Sequence, residues 1–354
     1  MILLILFSLR FVAVGDILLD RGVRRYINKN GIKSLFSDVD SIIKSADVSI
    51  CNLESPITKT GIPVNKPYCF RGEPEYLAGV YRAGFNVFNI ANNHTIDWGK
   101  KGFLNTMRNI ERIGGYFTGG GRFQKEAEEP LIISHGEITI AIFGAVDLFD
   151  PEVVKALKYR PGPYCLDVKS LERHIKFIRP FVDYIILTIH WGKEYEPFPE
   201  QKQVKLAHRL VDAGVDIIIG HHPHVLQGVE IYKNKIILYS LGNFVFDQKK
   251  DYQRETVMFR CTLTKTGIKD IEFVPIFITD CQPRIPDRKM SNIIKNRIIA
   301  LSSIFGTGFM ESGESLFLCK RAGEPLIIQN SHIEHIPILT NLSGKEKIIQ
   351  SPKK

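Results

Sequence analysis

Tyr184-Ile185-Ile186-Leu187-Thr188-Ile189-His190-Trp191-Gly192 is almost wholly apolar until it meets a histidine and then a glycine. So short and β-branched a run reads as a buried strand of a parallel sheet, and its carboxyl end delivers a side chain able to bind metal. The next unit repeats the device, residues 216–219 leading into Gly220-His221-His222-Pro223-His224. Amphipathic helices are predicted before each run, near 170–179 and 199–213. Upstream, strand-like residues 10–14, 48–51, 87–90 and 138–143 alternate with helical patterns near 32–44, 74–83 and 100–113. Arg-Ala-Gly84 and Asp-Ala-Gly214 each close a helix just before a strand. Strands alternating with helices predict an α/β architecture.

From Val225 the pattern changes. Residues 225–232 and 235–240 pair around Lys233-Asn234, and 255–264 with 268–279 around Thr266-Gly267, as two predicted hairpins. Beyond Pro286 the chain reads as more helical and polar, ending in a basic Ser-Pro-Lys-Lys354 tail. We therefore divide it into a catalytic domain over 9–285 and an accessory segment over 286–354. Hydrophobic residues make up 44% and charged residues 24%, ordinary globular values that exclude disordered and fibrous classes. The excess of 47 Lys+Arg over 38 Asp+Glu, net +9, favours anionic partners. Nucleic acid is not among them, because basic and aromatic residues are not interleaved. Six scattered cysteines without CxxC spacing read as reduced thiols, which favours the cytoplasm. No run approaches the roughly 18 apolar residues of a spanning helix, so no membrane anchor is evident. Met1–Arg10 reads as part of a buried first strand; the alternative, a truncated export signal, would place the protein outside the cell or at its surface.

The chemistry gathers after the strands. Successive strand ends supply Asp16, then Asn52-Leu53-Glu54, then Asn92-Asn93-His94 with Asp97, then His190, then His221-His222-Pro223-His224. Open α/β sheets bind ligands at this edge. Each residue alone has a plain structural explanation, such as a helix cap or a satisfied turn, but five consecutive ends do not share one. Mixed carboxylate, amide and imidazole donors suit Mn²⁺, Zn²⁺ or Fe²⁺, and the lack of cysteine argues against a closed structural zinc site. An open site of this kind suits attack on a phosphoryl or acyl centre. Glu54, with two oxygens, is the best candidate to bridge ions. His94 is placed to meet a leaving group, with Asp97 three residues on to orient its ring and raise its pKa. Trp191, beside His190, is expected to flank the substrate path, the alternative being a core plug beneath the loop, and Lys193 to meet the negative charge of the substrate.

Taken in order, GD, NLE, NNHxxDxG, HWG, GHHPHV and Ser240-Leu241-Gly242-Asn243-Phe244 resemble the CapA-type capsule-synthesis proteins. These poly-gamma-glutamate biosynthesis proteins belong to the calcineurin-like metallophosphatase superfamily, and the resemblance covers roughly residues 10–250. It implies a four-layer α/β/β/α sandwich with metal at the strand ends. It assigns Asp16, Glu54, Asn93, His190, His222 and His224 to the metal shell, His94 to the catalytic histidine and Arg21 to a basic position beside the site. Either His221 or His222 can pair with His224; the His-x-His spacing favours His222, leaving His221 near the substrate, with Asn243 beside it and expected to bond the metal loops. Two departures from the wider superfamily, Asp16-Ile17-Leu18 where Asp-x-His is usual and Glu54 where Asp is usual, weaken the case for a tight two-metal centre. The resemblance implies a metal-dependent hydrolase of a phosphoester or poly-gamma-glutamate-like polymer, with polyglutamate synthase components as partners. The alternatives are a non-catalytic, metal-stiffened partner of such a synthase and a metal-assisted proton-transfer enzyme such as a peptide epimerase.

Overall fold

The computed structural model describes residues 8–148, 155–319, 326–330 and 346–348. Met1–Phe7 and the Ser-Pro-Lys-Lys354 tail lie outside them. Two sheets stack face to face. In the first, the parallel strands Ser8–Ile17, Val48–Leu53, Val87–Asn89 and Tyr116–Thr118 lie in sequence order. The antiparallel pair Glu255–Thr264 and Gly267–Thr279 extends the other side of Ser8–Ile17. The second sheet is built on parallel Ile138–Asp147, Tyr184–Trp191, Ile217–His221 and Lys235–Leu238. Val229–Tyr232 closes it through a turn in which Lys233 (φ 47°) and Asn234 (φ 61°) both take the left-handed conformation that suits a tight hairpin.

Side chains alternate across each strand, so each sheet has two buried faces. Phe11 and Ala13 join Ile140, Ile186, Ile217 and Phe259 in a core between the sheets. Val12 and Val14 face the other way, against Leu77, Val80, Phe103 and Ile110 of the helices Pro74–Arg82 and Gly99–Arg112. On the far side, Ile185, Leu187 and Ile218 pack against Leu171, Ile175 and Leu210 of Val168–Ile178 and Gln201–Ala213. The result is the four-layer α/β/β/α sandwich anticipated above.

Three details differ from the sequence reading. Residues 32–44 are not one helix but a 3-10 turn, Ile32–Phe36, and a short helix, Asp40–Lys44. Between them Ser37 Oγ bonds the Ser34 carbonyl, a side chain competing with the helical ladder. A helix over Arg21–Asn30 was not anticipated, because it buries only Val23 and Ile27 and the Asp20 carboxylate, at its N-cap, serves Arg24 and the Arg71 amide instead of capping it. After residue 285 the helix Arg288–Ser302 sends Ile294, Ile298 and Leu301 into the core between the sheets. The hairpin Gly308–Ser312 and Ser315–Cys319 then adds to the first sheet through Gly267–Thr279. Residues 288–319 thus pack against the sandwich. Among the described residues no helix is long and apolar enough to cross a membrane, and all six cysteines are free.

Candidate metal centre

Register brings the site together before any side chain is considered. In the first sheet Asp16 lies opposite Asn52 on one side and Asn243 on the other. In the second, His190 lies opposite His221. The carboxyl ends of both sheets open to the same place, and Asp16, Glu54, His190, His222 and His224 are all buried there. His222 (φ 95°) and His224 (φ 56°) are left-handed non-glycine residues, a strained loop held because both rings turn inward.

Asp16 is the hub. Its Oδ1 accepts from Asn52 Nδ2 at 2.8 Å and lies 3.5 Å from His221 Nδ1; its Oδ2 lies 3.3 Å from both His224 Nδ1 and the His222 amide. Asn243 Oδ1 meets His224 Nδ1 at 2.9 Å, turning His224 Nε2 toward Glu54 Oε1 at 3.4 Å. Asn93 Oδ1 meets His190 Nε2 at 3.0 Å. Asp16, Glu54 and His190 form one group of potential ligand atoms within 4.8 Å of one another, and Glu194, His222 and His224 another. Glu54 is fully buried, yet neither carboxylate oxygen has a hydrogen-bond partner. An orphaned carboxylate facing imidazoles and a second carboxylate is a destabilising arrangement that a cation relieves. The donors therefore fit a divalent ion.

Charge is divided unevenly. Burial pushes up the pKa of Asp16, but hydrogen bonds from His221 and His224 hold it well below the usual carboxylate range. Burial, reinforced by the Asp16 charge, holds Glu54 well above that range. For His224 burial alone would lower the pKa; Glu54 and Asp16 outweigh it and leave the ring pushed up to about 10. His222 is pulled down to about 3 by burial and then by His224. His190 falls well below its ordinary value, by burial and then by His222.

Beside this cluster runs a chain from His94. Its Nδ1 meets Asp97 Oδ2 at 3.0 Å, Asp97 Oδ1 pairs with the buried Lys66 ammonium at 2.6 Å, and Lys66 also donates to the Asn93 carbonyl at 2.9 Å. Phe70 stacks near the imidazole, centroids 4.2 Å apart, and its amide donates to Asp97. Asp97 thus lies where the expected orienting contact to His94 would require it. The expected rise in the His94 pKa does not: burial outweighs Asp97, and the net direction is down.

Four residues placed near the substrate by sequence have other surroundings. Trp191 is a core residue, stacked on Tyr239 with its indole donating to the Tyr239 carbonyl at 3.0 Å. Strand alternation explains it: when His190 faces the site, its neighbour faces the helices behind. His221 is 1% exposed and bonds Thr188 Oγ1 at 2.9 Å, and Asn243 is fully buried with Nδ2 donating to the His224 and Gln253 carbonyls; both support ligands rather than reach solvent. Lys193 is exposed and paired with Glu196 at 2.7 Å. Arg21 does lie beside the site, against Phe70 and Phe246 and paired with Asp247. Sequence reasoning gave no role to Asn52, which shares a strand face with Glu54 by period two, nor to Glu194, two residues beyond Gly192 in the same loop. Lys66 carried no signal, since nothing local links it to Asp97.

Residues 10–248 match the family described as bacterial capsule synthesis protein PGA_cap. The capsule biosynthesis protein CapA of Bacillus anthracis is 32% identical over 299 residues, 82% of this chain and 72% of that protein. The PGA biosynthesis protein CapA of Bacillus subtilis is 33% identical over 273 residues, 76% of this chain and 72% of that protein. Among solved structures, the Haemophilus influenzae NAD nucleotidase aligns over 83% of this chain and 63% of that one, with 13% identity and a TM-score of 0.44. The chain belongs to the PGA_cap family of bacterial capsule synthesis proteins.

Proposed function

We propose that this member of the PGA_cap family is a divalent-metal-dependent hydrolase acting on an anionic substrate, a phosphoester or a poly-gamma-glutamate-like polymer. The observation that carries the reading is Glu54, a buried carboxylate without a hydrogen-bond partner, facing Asp16, His190 and His224. In this reading Asp16, Glu54, Asn93, His190, His222 and His224 hold the ion, with Glu194 as a further donor. Their oxygen and nitrogen chemistry suits Mn²⁺, Zn²⁺ or Fe²⁺. Such an ion supplies Lewis acidity and lowers the pKa of water.

The protein's own groups do the rest. Asn243 and Asp16 fix the tautomer of His224, as outer partners of ligating imidazoles generally do. Asp97, its charge balanced by Lys66, holds His94 by Nδ1 and leaves Nε2 free to exchange a proton with a leaving group. Arg21 offers its guanidinium to a negative substrate at the rim. The names of the Bacillus relatives supply the setting, capsule and PGA biosynthesis; polymer-synthase components are the partners proposed. The test is hydrolysis of p-nitrophenyl phosphate and of a glutamyl oligomer with added Mn²⁺. Turnover that disappears on chelation and in His190→Ala supports the reading. Metal binding without turnover of either substrate would favour a non-catalytic partner of a synthase.

A further inference from the structure

A cleft of about 880 Å³ opens beside the metal centre, between the helix Arg21–Asn30 and the segment around residues 278–284. Five cations line it, Arg25, Lys29, Lys249, Arg254 and Arg284, against two carboxylates, Asp247 and Asp280. Asp247 is already engaged by Arg21 and the Gly22 amide, and Arg254 by Asp251 and the Ile278 carbonyl. Among the described residues Arg25, Lys29 and Lys249 make no ion pair, and all three are exposed.

The arrangement is ordered, not diffuse. Arg25 and Lys29, both lining the cleft, lie four residues apart, so they stand in a row on one helix face, about 6 Å apart along the axis at 1.5 Å per residue. The helix, Arg-Gly-Val-Arg-Arg-Tyr-Ile-Asn-Lys-Asn, contains no acidic residue to offset that row. Arg21 (φ 53°), at the start of the helix, is left-handed and connects the cleft to the centre: it pairs with Asp247 of the cleft wall and lies against Phe70 and Phe246, which contact His94 and His224 respectively. Tyr26, the aromatic residue of the cleft, is half-buried and bonded to Ser34, so no free platform exists for stacking bases.

We infer that this cleft binds a linear polyanion other than nucleic acid, a polycarboxylate or a polyphosphate, whose chain runs along Arg25 and Lys29 away from the metal centre. The inference rests on the reading of that centre as acting on anionic substrates, but it is tested by binding, without turnover. Affinity is measured by titration calorimetry on the full chain at several salt concentrations. The probes are a ten-residue glutamate oligomer, linear polyphosphate of matched charge, glutarate and a ten-residue oligothymidylate. The glutamate oligomer or the polyphosphate binds far more tightly than glutarate, and whichever is tighter identifies the charged group. Arg25→Ala/Lys29→Ala weakens it about tenfold at low salt and flattens the salt dependence. Arg25→Lys/Lys29→Arg retains it, and melting temperature and metal occupancy are unchanged in both variants. Unaltered affinity in the alanine pair, no binding of any polyanion, or tightest binding of oligothymidylate would overturn the inference. Phosphoester turnover without cleft binding sinks this inference alone; cleft binding without turnover sinks only the hydrolase reading.

Discussion

Asp16 and Glu54 stand in one cavity in opposite states, and the difference comes from their partners. Asp16 accepts hydrogen bonds that hold it ionised, whereas Glu54 has none. Above pH 7, where His190 and His222 are neutral folded or unfolded, two raised groups decide the pH dependence. Glu54, raised on folding, costs stability as pH climbs past its unfolded value of about 4.3. His224 contributes stability below about 6.5 that is lost as pH rises through about 10. Both act in one direction, so metal-free protein weakens from pH 7 to 9. Metal must displace the same protons, so its affinity rises over the same range. The gap in melting temperature between Mn²⁺-loaded and metal-free protein therefore widens with pH; a constant gap would contradict the assignment. His94→Asn should keep metal and fold but lower kcat by roughly 10²–10⁴-fold, with a smaller loss for p-nitrophenol, which leaves without a proton. Because burial lowers the His94 pKa, an acid role predicts that turnover of poor leaving groups falls as pH rises from below 6.5. An equal loss for good and poor leaving groups would exclude that role.

Elements hold these residues through close backbone approach. Gly15 precedes Asp16, and a Cβ there would lie 1.9 Å from the Gly242 carbonyl oxygen, backbone that cannot swing aside. Gly15→Ala should destabilise by about 1–3 kcal/mol and weaken metal binding as Asp16 shifts, measured by thermal melting with and without Mn²⁺. The helix Arg288–Ser302 makes a separate claim. Ile298 is 1% exposed within the core between the sheets, so Ile298→Ala should cost about 2–4 kcal/mol. A loss near zero would mean that this segment is an appendage after all.

The strand ends were legible because apolar runs stop abruptly at Asp16, Glu54, His190 and His221, and the helices facing them repeat with ordinary amphipathic spacing. What stayed illegible depends on contacts distant in sequence. Lys66 reaches Asp97 across a loop, and the helix Arg21–Asn30 rests on only two apolar residues of its own, Val23 and Ile27, packed in the core behind the first sheet. The burial of Ile294 and Ile298 was hidden for the same reason, since only the two sheets together provide it.

At the scale of the whole molecule, an ion held between the two sheets would stabilise the native state by mass action. The direct measurement is the melting temperature as a function of Mn²⁺ concentration, with metal content assayed in parallel, for the native chain and for His190→Ala/His224→Ala. These two imidazoles come from separate segments, the strand Tyr184–Trp191 and the loop after Ile217–His221. The native chain should hold at least one ion and melt higher as Mn²⁺ increases, while the double variant folds without the ion and without the shift. A double variant with full metal occupancy and the same shift would contradict the account.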